Sequence, residues 1–143
     1  MYFLEPDPYE TMTEPSYLDE AISLTYYDGL SGSFAIDSGR GYRDVGKQFF
    51  RRQVPDLSVP GIEVDTALGK RSGSSIAAGL ACGCVAQFLE WAVTRGQDPL
   101  VNSKGVRNYF IRGCIRSFDQ EYPSPTWGYG KLSLTGVFDV LRG

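Results

Sequence analysis

The chain has 143 residues, 42% hydrophobic and 22% charged, proportions that support one packed core and exclude a disordered or fibrous protein. Its 14 Lys and Arg against 17 Asp and Glu give a net charge of −3, which argues against a nucleic-acid partner, where a basic face is required. The absence of histidine and the presence of only three cysteines argue against a zinc site, and no cofactor motif stands out. Cys82 and Cys84 are too close for an ordinary bridge, so Cys82, Cys84 and Cys114 read as reduced thiols, favouring a cytoplasmic or other non-oxidising setting.

Residues 1–19 are rich in proline and acidic groups and read as an extended lead-in segment. They show no basic n-region before an apolar run, so no signal peptide is expected. Nor is a membrane partner expected, because no stretch approaches the roughly 20 apolar residues a span needs. Between residues 20 and 27, Ile22, Leu24 and Tyr26 alternate with Ser23, Thr25 and Tyr27, the period-2 pattern of a strand. Asp28-Gly29 is a turn, and 33–36 is a second strand candidate. The loop 37–41 and a polar, basic connection over 46–52 lead to short strands at 56–59 and 62–64, split by Pro60-Gly61.

The longest helix is predicted from Ser75 to about Arg95, stopped by Gly96. Its dense apolar set (Ile76, Leu80, Val85, Phe88, Leu89, Ala92) and its internal Gly79 and Gly83 predict a buried central helix with close backbone packing. Each such glycine costs about 1 kcal/mol relative to alanine. A helix capped by Asn102 or Ser103 runs to Arg112, a turn-rich stretch covers 122–130, and an amphipathic helix ends the chain at 134–141. Strands followed by helices predict an α/β fold.

Chemistry concentrates at Lys70-Arg-Ser-Gly-Ser-Ser75-Ile-Ala-Ala, which places a serine in the first turn of the long helix directly after a glycine. The free N–H groups and partial positive charge of a helix N-terminus stabilise a developing oxyanion, so this is a good seat for a nucleophile. Serine is also a preferred N-cap, and taken alone the pattern is more often only a cap.

The surroundings carry a resemblance. Ser72-Gly-Ser-Ser75-Ile-Ala-Ala resembles the Gly-Thr-Ser-x-Ala motif around the subtilase nucleophile. Pro55-Asp-Leu-Ser-Val-Pro-Gly61 resembles the Pro-Asp-x-x-Ala-Pro-Gly segment upstream of it, and Glu20 to Tyr27 resembles the strand before that. Trp127-Gly-Tyr-Gly-Lys-Leu132 resembles the Gly-x-Gly-x-Leu signature before the last helix. The wording is most similar to the clostridial germination-associated subtilases, over roughly residues 14 to 142.

The resemblance implies a subtilisin-like three-layer α/β fold with a mostly parallel sheet, of which residues 20–143 form the C-terminal portion. It implies an Asp-His-Ser triad in that chain order. Only the nucleophile maps onto this chain, at Ser75; the Asp, the His and the oxyanion Asn would be supplied by a missing N-terminal part of the same domain. Ser74 stands where the family has Thr, and Gly79-Leu-Ala81 where many members have Pro-His-Val. The implied partners are a peptide or protein substrate and that N-terminal part, and the implied setting is cytoplasmic or spore-associated. With no histidine in 143 residues, the chain alone is expected to be inactive and, lacking the first strands of its sheet, poorly stable. Two other outcomes stay open: a pseudoprotease that binds in spore-germination signalling, and a partial reading frame without autonomous function.

Four further patterns read as structural. Gly39-Arg-Gly41 lacks the helix of a dinucleotide loop, and Lys70 as base for Ser75 reads more simply as a solvated loop charge. Lys47, Arg51 and Arg52 with Phe49 and Phe50 read as a basic surface loop, and Asp37 and Asp56 as structural carboxylates rather than a catalytic pair.

Overall fold

A computed structural model describes residues 9–43 and 52–143. The first eight residues of the lead-in segment and the basic stretch 44–51 lie outside the described residues. Strand β1 (Leu24–Asp28) pairs in parallel with β2 (Leu57–Ile62), with Tyr26 opposite Val59. Thr25, Tyr26 and Tyr27 are all buried, so both faces of β1 are covered. The alternation in the sequence separates two covered faces, as parallel pairing leads one to expect. Leu24, Tyr26 and Val59 face a cluster with Ala77 and Ala81 of the long helix. On the other side the Thr25 hydroxyl donates to the Thr126 carbonyl at 2.6 Å, and the Tyr27 ring lies 5.5 Å from that of Trp127.

β2 runs unbroken through Pro60-Gly61, where two strands are expected from the sequence. Its far edge is bonded by the segment after Trp127: Ser58 N–H donates to the Gly130 carbonyl at 3.0 Å and Leu132 N–H to the Ser58 carbonyl at 2.9 Å. The candidate strand at 33–36 is a short return beside β1, bridged at Phe34 opposite Tyr27. Asp28 closes that turn by accepting from Leu30 N–H and from the Ser31 hydroxyl, contacts that hold its carboxyl below the usual range. After β2 comes an exposed hairpin, β3 (Val64–Thr66) and β4 (Gly69–Arg71), that the sequence pattern does not announce.

Helix α1 spans Ser74–Leu89 and continues as a π-helical turn over Glu90–Thr94. α2 (Ser103–Gly113) is capped by Asn102, whose side chain accepts from Gly105 N–H at 2.9 Å; α3 (Leu134–Arg142) is capped likewise by Ser133 at 3.0 Å. Phe88, Ala92, Val106, Phe110 and Val137 close a core over Leu57.

The expectation of a buried α1 with close packing at its glycines is corrected. Ala77, Ala81, Phe88 and Ala92 are buried, while Leu80 is exposed and a Cβ at Gly79 or Gly83 would meet nothing within 4 Å. The helical run Ser74–Thr94 is 21 residues long and apolar enough by length and composition to cross a bilayer, contrary to the sequence estimate. Its buried residues, Ala77, Ala81, Phe88 and Ala92, pack on the strands and on the core around α2.

α2 and α3 cross at two glycines. A Cβ on Gly113 would meet the Val137 backbone, and one on Gly136 the Gly113 carbonyl oxygen. Backbone cannot step aside as a flexible side chain can, so Gly136→Ala is expected to cost about 1–3 kcal/mol. Hydrogen exchange should then show roughly 10- to 100-fold lower amide protection in both helices; unchanged protection would contradict the crossing.

Candidate active site

Ser75 lies exposed in the first turn of α1. The chain reaches it through Gly73, the N-cap, at φ 136° and ψ 166°, a conformation that residues with a side chain rarely adopt. Gly73 N–H donates to the Gly61 carbonyl at 2.7 Å, and its own carbonyl accepts from Ile76 and Ala77 N–H at 3.1 and 3.2 Å. Gly61 leaves room for this join, since a Cβ there would stand 2.9 Å from Tyr26 and 3.1 Å from the Gly73 carbonyl oxygen. A continuous backbone path therefore links β1, β2 and Ser75.

No side chain caps α1. The two serines are inside the helix, where the first backbone N–H groups have no intrahelical acceptor and the helix dipole favours negative charge. The geometry can thus present a hydroxyl and oxyanion donors together. Ser75 also borders a cavity of about 380 Å³, walled by Pro15, Ser16, Ala21, Ser23 and Ala78. An apolar cavity of about 410 Å³, lined by Leu57, Ala81, Val85, Phe110 and Leu132, shares Ile22, Leu24 and Ala78 with it.

The residues weighed as alternatives are placed elsewhere. Lys70 is on exposed β4, in register with Asp65. The loop of Gly39 and Gly41 is structural: Glu10 N–H donates to the Gly41 carbonyl and Gly41 N–H to Pro125, both within 3.0 Å. Asp37 bonds the Tyr26 hydroxyl, whereas Asp56 is buried on β2's approach with Ser23, Arg52 and Arg107, so the two carboxylates have separate structural partners. All three cysteines are free, and burial pushes the Cys84 and Cys114 thiols up, which disfavours their thiolates. Among the described residues no group of three His, Cys, Asp or Glu is placed to hold a metal.

Three participants escape the sequence reading. Arg52, assigned there to a basic surface loop, turns inward and has an 11% exposed side chain against Asp56 at 2.7 Å. Its spacing of four residues before an aspartate is the one signal available. Ser16 and Ala21, assigned to the lead-in and the start of a strand, form the cavity wall.

No protein-family model matches the chain, and no curated protein sequence matches it. Among solved structures, the CspB protease of Clostridium perfringens superposes with a TM-score of 0.88 at 30% identity, covering 98% of this chain and 31% of that one. The prenylagaramide maturation protease PagA gives 0.70 at 21% identity, covering 96% and 48%. The patellamide maturation protease PatA gives 0.66 at 21%, covering 90% and 46%. This chain therefore spans between about a third and a half of the length of these structures.

Tyr26, under the path to Ser75, supplies a pH test. Burial, then the hydrogen bond from its hydroxyl to Asp37 and that carboxylate's charge, push its pKa up to about 12 from 10.0. The folded state holds this proton more tightly than the unfolded one, so its contribution is intact below pH 10 and lost between pH 10 and about 12. Absorbance titration at the tyrosinate band should show that late ionisation, shifted toward 10 in Asp37→Asn. Equal titration in the two proteins would refute the assignment.

Proposed function

We propose that this chain, which has the fold of the C-terminal part of a subtilisin-like protease domain, is the nucleophile-bearing portion of a serine endopeptidase. The observation that carries the proposal is Ser75 itself: exposed, relieved of capping by Gly73, in the first turn of α1 and on the edge of an open surface depression of about 380 Å³.

In this reading the Ser75 hydroxyl attacks a peptide carbonyl while an imidazole of the upstream part takes its proton. The carbonyl oxygen becomes an oxyanion held by the Ser75 N–H and an upstream donor. Return of the proton to the leaving amine gives an acyl-Ser75, and water, activated by the same base, hydrolyses it. A protein of the same fold whose upstream part lacks the base would keep the cavity and bind peptides without cutting them.

The longer protein that carries this chain should be labelled at Ser75 by a fluorophosphonate probe, and Ser75→Ala should abolish labelling and lower peptide hydrolysis by at least about 10⁴-fold. Well-folded longer protein that hydrolyses no peptide and does not label would sink the endopeptidase reading and leave the binding one. The 143-residue chain alone should not label above background, because it contains no histidine to activate the hydroxyl.

A further inference from the structure

We propose that Arg52 is the positioning residue of the substrate wall beside Ser75, acting through the backbone of residues 16–21; this rests on the reading of Ser75 as a nucleophile. The Arg52 guanidinium makes four hydrogen bonds, to the Leu18 carbonyl at 3.0 Å, to Ser16 at 2.7 Å, to Ala21 at 2.9 Å and to Asp56 Oδ1 at 2.7 Å. Ser16 and Ala21 wall the cavity that Ser75 borders, whereas Arg52 does not line it. Its effect on a bound peptide is therefore indirect.

Among the described residues, the other contacts of the wall differ in kind from the Arg52 fork. Its internal turn bonds, Leu18 N–H to Pro15 at 3.4 Å and Ala21 N–H to Leu18 at 3.1 Å, shape the segment without anchoring it to the sheet. Arg107 reaches the Asp19 carbonyl at 3.3 Å, and Lys104 meets the Asp19 carboxylate at 3.5 Å with both side chains 58% exposed, where an ion pair contributes little. The Arg52 fork, by contrast, is nearly desolvated and braced by Asp56, whose other oxygen accepts from Ser23 N–H at 2.7 Å. Asp56 and Arg52 together thus fix the wall from Ser16 to Ser23. A planar fork with donors in fixed directions suits three carbonyls and a carboxylate at once; a lysine ammonium keeps the charge but not that geometry.

The test compares wild type, Arg52→Ala, Arg52→Lys and, as a destabilised control, Gly136→Ala, all in the longer protein. Two rates are followed: fluorophosphonate labelling of Ser75, and hydrolysis of the fluorogenic peptide that wild type cleaves best from a panel varying the residue before the scissile bond. A small phosphonate reaches the hydroxyl without using the wall, whereas a peptide must lie against it. Both Arg52 variants are expected to raise KM about tenfold or more, with kcat and the labelling rate within about threefold of wild type. Gly136→Ala should leave KM unchanged. If Arg52→Ala fails to fold, Arg52→Lys, which retains the charge opposite Asp56, decides alone. Wild-type KM in Arg52→Lys overturns the proposal, as does an equal fall in kcat and labelling without a KM change. Absence of labelling in wild type overturns the nucleophile reading and this proposal with it; labelled wild type with an unaffected KM in the variants overturns this proposal only.

Discussion

One buried carboxylate holds the fold together. Asp56 precedes β2, and its side chain accepts from Ser23 N–H, the Ser23 hydroxyl and Arg52, with Arg107 at 4.0 Å. Its own N–H returns to the Ser23 carbonyl at 2.9 Å, and its carbonyl accepts from Tyr129 N–H at 2.8 Å. The approach to β1, the wall beside Ser75, helix α2 and the segment before α3 therefore meet at one residue. A carboxylate whose side chain is 2% exposed is tolerable only with such partners, and losing one from a buried pair costs about 3–5 kcal/mol. The parallel register of β1 against β2 depends on this junction, and through Gly61 and Gly73 so does the placement of Ser75.

Much of this architecture is legible in the residues themselves. Asn102 announces α2 because a cap is local chemistry, and α3 shows in its amphipathic period. The stretch 122–130 reads as turn-rich, but that a Cβ on Gly128 would strike the Asp56 carbonyl is not readable from it. The place of Ser75 in the first turn of a helix, directly after a glycine, is legible in the same way. What escapes is whatever depends on distant partners. Pro60-Gly61 looks like a break between strands, yet β2 passes through it because Pro60 pairs beside Tyr27, next to an irregularity in the register at Asp28. The hairpin β3–β4 has too few apolar residues to show a period. Arg52 looks solvated because nothing nearby in sequence says that three carbonyls will surround it.

The open side of α1 corrects another inference. Gly79 and Gly83 seem to ask for a neighbour pressed against the helix, and within the described residues that neighbour is not there. The same side carries Leu80 at 40% exposure, and the adjoining apolar cavity continues past Ile22 and Leu24 on the approach to β1. The opposite side, with Ala77, Ala81, Phe88 and Ala92, is the one packed on the strands and on the core.

The long-distance stitching around Asp56 also has a kinetic side. Ser23 and Asp56 are 33 residues apart, Arg52 and Ser16 36, Arg107 and Asp19 88, and Thr25 and Thr126 101. Each contact requires a large loop to close before any stabilisation is gained, and topologies of this sort fold orders of magnitude more slowly than helical bundles. A helix such as α1 forms in about a microsecond from local bonds alone. Local bonds can thus make and unmake α1 many times before the sheet closes, and each time it forms it presents an apolar surface to whatever it meets first.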